Sequence, residues 1–152
     1  MRLSFAVVAL SAATAVTAVG KATVKNSCGF PVYLWSVGSQ VSDKGAIQPG
    51  KSYSEVYERD PVTGGRSLKI TTVKDGLYNG APQTNFAYTL DPSQVWYDLS
   101  DVFGDAFAGH KLAVVPNNAN CQSIVWPNGV PPAGSQVKVC TSSADVTLTL
   151  CA

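Results

Sequence analysis

Ala22-Thr23-Val24-Lys25-Asn26-Ser27-Cys28 is followed almost at once by Phe30-Pro31-Val32-Tyr33-Leu34-Trp35-Ser36-Val37. The first run is rich in β-branched residues and ends at a cysteine. The second is apolar on both alternating faces, so the two read as neighbouring strands, an edge strand leading into a core strand. Cys28 lies at the turn between them and Cys151 is the next-to-last residue, so a bridge between these two would tie the first strand to the last.

Turn chemistry punctuates everything downstream. Gln48-Pro49-Gly50-Lys51 has proline second and glycine third, the pattern of a type II turn. Ser52 to Glu58 then alternates, with Tyr53, Glu55 and Tyr57 on one face and Ser54, Val56 and Glu58 on the other. Asp60-Pro61 breaks that strand, Gly64-Gly65 permits a reversal, and residues 67–73 resume with strand formers. Short strands are expected at residues 86–90, 95–99, 112–115, 124–126, 136–140 and 146–151. No segment keeps a helical period, and residues 128–134, with Pro131-Pro132, form an exposed loop. Many short strands between regular turns predict an all-β, antiparallel sandwich of a single domain.

Residues 1–20 are a different material. Arg2 precedes a run that is apolar or small as far as Val19, which is the composition of a secretory signal peptide, with cleavage expected after Ala18 or Gly20. Residues 21–152 form the domain. Without Arg2 the remaining basic residues balance the ten acidic ones, so the chain lacks the concentrated basic surface that nucleic acid or an anionic membrane requires. No apolar tail follows Cys151, so no lipid anchor is expected. Four cysteines in a secreted chain imply two disulfides and allow three pairings. Cys28–Cys151 with Cys121–Cys140 is favoured, because the long link constrains the unfolded chain most and the short one staples a late excursion.

Three segments in order resemble the thaumatin-like proteins. Ala22 to Cys28 matches a first strand ending in Asn-x-Cys. Gly50-Lys51-Ser52-Tyr53 followed by Thr63-Gly64-Gly65-Arg66-Ser67-Leu68-Lys69-Ile70-Thr71 is similar to the Gly-x-Ser-Trp and Thr-x-Gly-Gly-Arg strands. Trp96-Tyr97-Asp98-Leu99-Ser100-Asp101-Val102-Phe103-Gly104-Asp105 resembles the Tyr-Asp-Val-Ser-x-Val-Asp-Gly signature. Asn26 to Gly38 is most similar to the small fungal secreted branch, the CetA-like, CalA-like and yeast-phase-specific proteins. The resemblance implies a β-sandwich without a second disulfide-rich domain, and first-to-last cysteine pairing. It also raises β-1,3-glucan hydrolysis, since some larger members resemble weak β-1,3-glucanases.

Hydrolysing a glycosidic bond needs two carboxylates at a controlled separation. Asp98 matches the first acid of the family's cleft, with Asp101 and Asp105 close in sequence, but the next cleft acid falls at Phe103. The cleft arginine and glutamate are missing from residues 75–90. Glu55 and Glu58, three apart on a strand, point to opposite faces. No catalytic residue is therefore assigned. The spacing of Asp98, Asp101 and Asp105 fits no defined calcium loop, and His110 is the sole histidine, so neither a metal nor another cofactor is expected. Aromatic rings beside polar groups carry the stronger signal, since sugars stack on the ring and hydrogen-bond to its neighbour. Candidate ligand-binding residues are Tyr53, Glu55 and Tyr57, with Tyr53 and Tyr57 exposed, and Asp98, Asp101 and Asp105. The expected protein is a non-catalytic monomer, secreted or held at the cell wall. It would bind a polysaccharide such as β-glucan or a cell-surface partner, with a weak glucanase and an adhesin using residues 128–134 as the alternatives.

Overall fold

The computed structural model describes residues 18–152, so most of the expected signal peptide lies outside the described residues. Eleven strands and one helical turn follow in order. They are β1 (Lys21–Asn26), β2 (Val32–Val37), β3 (Val41–Ile47), β4 (Ser52–Val56), β5 (Arg66–Thr71), α1 (Gly76–Asn79), β6 (Gln83–Leu90), β7 (Gln94–Val102), β8 (Leu112–Pro116), β9 (Ile124–Trp126), β10 (Lys138–Thr141) and β11 (Val146–Leu150). They form a five-stranded sheet, β4-β1-β11-β8-β9, and a six-stranded sheet, β10-β7-β6-β5-β2-β3. Every pairing is antiparallel except β1 with β11, which run parallel.

The core is what strand alternation predicts for two sheets packed face to face. Val24, Leu148, Leu150, Val114 and Trp126 from one sheet meet Leu34, Leu68, Ile70, Phe86, Tyr97 and Leu99 from the other, all fully or almost fully buried. Both expected disulfides are present, Cys28–Cys151 and Cys121–Cys140. The turn at residues 48–51 closes through the Lys51 amide donating to the Gln48 carbonyl, with Gly50 at φ 78°.

The two opening runs do not pair. β1 sits inside the five-stranded sheet and β2 inside the six-stranded one, so the chain crosses from one layer to the other between Asn26 and Val32. Asn26, fully buried, holds that crossing. Its Nδ2 donates to the carbonyls of Phe30 (2.9 Å) and Ile47 (2.8 Å), and its Oδ1 accepts from the Cys28 amide. A short connection between two apolar runs fits a hairpin and a layer crossing equally well, and the Asn26 amide decides for the crossing. β3 has no counterpart among the expected strands: it is an edge strand, mostly exposed and interrupted at Lys44, so it lacks an apolar face to read. Asp60, expected in a turn, does more. Its carboxylate accepts from the amides of Val62 and Thr63 within its own loop and from the amide and hydroxyl of Ser39 across it, pinning the β2–β3 turn to the β4–β5 connection.

Candidate functional site

β7 carries both acids of the signature, and strand alternation separates them. Asp98 opposes Ala87 on the outward face of the six-stranded sheet, whereas Asp101 opposes buried Thr84 on the inward side. Residues three apart on one strand cannot share a face, so the expected cluster of Asp98, Asp101 and Asp105 splits. Asp101 and Asp105 stay together. Burial pushes the Asp101 carboxyl up to about 7; the Thr84 hydroxyl, donating at 2.6 Å, opposes this and the neighbouring Asp105 carboxylate adds to it. Asp98 is also raised, by burial, against a hydrogen bond from the Leu99 amide.

Around Asp98 the outward face is a shallow trough. One section, of 150 Å³, is floored by Ala87, Thr89, Trp96 and Asp98 and walled by Val137. It continues across β6 into a section of 330 Å³ bounded by Val37, Gly38, Gly65 and Ser67. The trough thus crosses strands from β10 towards β2, roughly four strand spacings of about 4.8 Å. Small residues on β5 and β6 keep it open, and Trp96, 41% exposed with its indole N–H on Asp91 Oδ2 at 3.1 Å, stands at its edge.

The second expected group sits elsewhere. Tyr53 and Glu55 of β4 and Tyr57 directly after it do share a face, but it is the face turned into the sandwich. Tyr57 is 3% exposed, its hydroxyl donates to the Ala144 carbonyl at 3.1 Å and its ring lies 5.1 Å from that of Tyr88. It is therefore corrected from an exposed ligand-binding residue to a core one. The alternation of residues 52–58 is legible in sequence, but which face is wet depends on the opposite sheet. Glu55 accepts from Tyr53 (2.7 Å) through one oxygen and from Tyr88 (2.6 Å) through the other, joining β4 to β6. Burial and that carboxylate raise the Tyr53 and Tyr88 phenols. Arg66, bonded to Glu58 at 3.0 Å, offsets them in part.

Sequence reasoning missed Tyr88 and Thr84, the partners that immobilise Glu55 and Asp101, because both contacts run between strands distant or adjacent in space and leave no local signal. It also missed Ala87, Thr89 and Ser67 as trough floor. Their signal is a smallness on the outward positions of β5 and β6 that becomes visible only once the strand register is known.

The model of the Blastomyces yeast-phase-specific protein family, Bys1, matches residues 9–152. The chain belongs to the Bys1 family. An antigenic thaumatin-like protein of Arthroderma benhamiae is 31% identical over 169 aligned positions, spanning 100% of this chain and 85% of the relative. A secreted thaumatin-like protein, calA, of Emericella nidulans is 28% identical, over 86% of this chain and 81% of the relative. Among solved structures, the protein elicitor MoHrip2 from Magnaporthe oryzae superposes with a TM-score of 0.72 at 25% identity, over 88% of this Bys1-family chain and 99% of MoHrip2. The thaumatin-like xylanase inhibitor TLXI superposes with a TM-score of 0.57 at 12% identity, over 86% and 99% of the two chains, which shows a common fold. The architecture is thus a thaumatin-like β-sandwich. Its two disulfides and its similarity to a protein named as secreted fit an extracellular setting.

Proposed function

We propose that this protein is a non-catalytic cell-wall-associated binder that takes a polysaccharide such as β-glucan along the outward trough. The observation that carries the reading is the pairing of Asp98 with Ala87. The trough holds an aromatic ring, hydroxyls and one carboxylate on a surface crossing several strands, and the residue facing that carboxylate has no acid to offer. A glycosidase needs a second carboxyl group flanking the same bond, and Asp101 lies on the other side of the strand. A ring with polar neighbours suffices for stacking and orientation without chemistry. The two fungal relatives are named as an antigenic and a secreted thaumatin-like protein, and MoHrip2 as a protein elicitor.

The test is retention on insoluble β-1,3-glucan. Wild type is expected to be retained, and Trp96→Ala and Asp98→Ala to lose at least tenfold in affinity while melting like wild type. Retention of wild type no better than a neutral control protein sinks the reading. Reducing sugar released from laminarin by wild type and abolished in Asp98→Ala would replace it with hydrolysis.

A further inference from the structure

β7 outruns its neighbour. β6 pairs with it along one side as far as Val102, but on the other side β10 stops at the Lys138–Tyr97 rung. Beyond that rung lies a groove of 360 Å³ between Asp98–Asp101 and the segment from Pro131 to Val137. Four consecutive strand residues can line one groove only along the edge of the strand, because their side chains alternate between faces. The groove is therefore floored by main chain. Among the described residues no main-chain hydrogen bond crosses it, and Pro131-Pro132 opposite have no N–H to donate. One carboxylate, Asp98, stands on the outward side of the edge, and no lysine, arginine or histidine lines it; Asp101 is turned inward onto the Thr84 hydroxyl.

We propose that this open edge of β7 is a docking site for an extended basic segment of a partner protein, which adds as a strand beside Asp98–Val102. Unpaired edge groups supply main-chain hydrogen bonds to an incoming strand, and a basic side chain on the outward face of that strand meets Asp98. Pro131-Pro132 and Val137 form the opposite wall, so the groove abuts the polysaccharide trough at Asp98 and Val137 and extends it to the exposed 128–134 loop.

The experiment uses the secreted, disulfide-bonded protein and three fluorescent heptapeptides: one alternating lysine with valine and threonine, its glutamate counterpart, and the lysine peptide N-methylated at alternate residues. The lysine peptide is expected to bind at least tenfold more tightly than either of the others. It should slow amide exchange at Asp98–Val102, and it should bind several-fold more weakly to Asp98→Asn. Equal binding by the glutamate or the N-methylated peptide, or protection that misses residues 98–102, overturns the proposal and leaves the trough reading standing.

A second inference rests on Gly20. This residue is buried where β1 begins, its amide donates to the Ser142 carbonyl at 2.8 Å, and its carbonyl accepts from the Tyr57 amide at 3.0 Å. A Cβ there would lie 2.5 Å from the Ala144 carbonyl oxygen, so the fold uses a glycine at this position. Ala18 and Val19 before it are exposed. We infer that the leader is removed between Ala18 and Val19. A signal peptidase adds water across that amide, leaving a carboxylate on Ala18 and an ammonium on Val19. The peptidase acts before folding, so the fold does not direct the cut, but the product must keep the residue that the sheet uses. Intact-mass measurement of the secreted protein should show a chain starting at Val19; a start at Lys21, or at any residue before Val19, overturns this.

Discussion

At Tyr57 the phenol reaches the Ala144 carbonyl and the ring packs on Tyr88, so its removal is a core deletion and not a loss of ligand contact. Tyr57→Ala should cost about 3–5 kcal/mol in urea unfolding, the range for truncating a buried aromatic. Tyr57→Phe, which loses only the hydrogen bond, should cost about 1 kcal/mol. Asp101 and Asp60 make opposite pH predictions. Burial raises the Asp101 pKa from 3.8 to about 7, so between these values the folded chain holds a proton that the unfolded chain has released. Stability from this group therefore declines as pH rises from about 4 to 7. Asp101→Asn should flatten that decline in a melting-temperature profile. Asp60 is held below the usual carboxylate range by the amides of Thr63, Ser39 and Val62 and the Ser39 hydroxyl. Its contribution is full above pH 3.8 and is lost as pH falls further. Asp60→Asn should thus lower the melting temperature at pH 7, with the gap from wild type narrowing in acid.

At the level of elements, the 128–134 loop is held by one residue. Gly129 has φ 67°, and a Cβ there would fall 1.9 Å from the Phe107 carbonyl oxygen and 2.5 Å from that of His110. The Asn128 carbonyl meanwhile accepts from the Gly109 amide at 2.8 Å. Gly129→Ala should destabilise by more than about 1 kcal/mol, since it combines an unfavourable backbone conformation with a collision against backbone. Faster amide exchange in residues 107–110 and 128–137 is the measurement that checks it. The strands themselves were largely legible: residues 52–56, 66–71, 112–116 and 146–150 alternate or carry β-branched residues, and turn dipeptides bound them. β3 was not, because an exposed edge strand containing Asp43, Lys44 and Gly45 has no buried face to impose a pattern.

At the scale of the whole molecule, Cys28–Cys151 joins residues 123 apart and locks β1 beside β11, the one parallel pair among the described residues. Closing a loop of that length removes about 5 kcal/mol of chain entropy from the unfolded state, by the chain-entropy account. The Cys28→Ser/Cys151→Ser double variant should lose about 2–5 kcal/mol in denaturant titration. Cys121–Cys140, with a separation of 19, closes a far shorter loop and should cost less when removed.

The amino-acid sequence by itself determined the all-β character, the turn positions, the disulfide-bearing extracellular class and the family, because turn chemistry and side-chain alternation are local properties carried along the chain. Tertiary structure alone decided that β1 and β2 lie in different layers, that Tyr57 points inward, that Asp98 and Asp101 part company, and that the end of β7 stays open. Each of those depends on which surface comes to cover a given face, and that surface is built from residues far away in the chain.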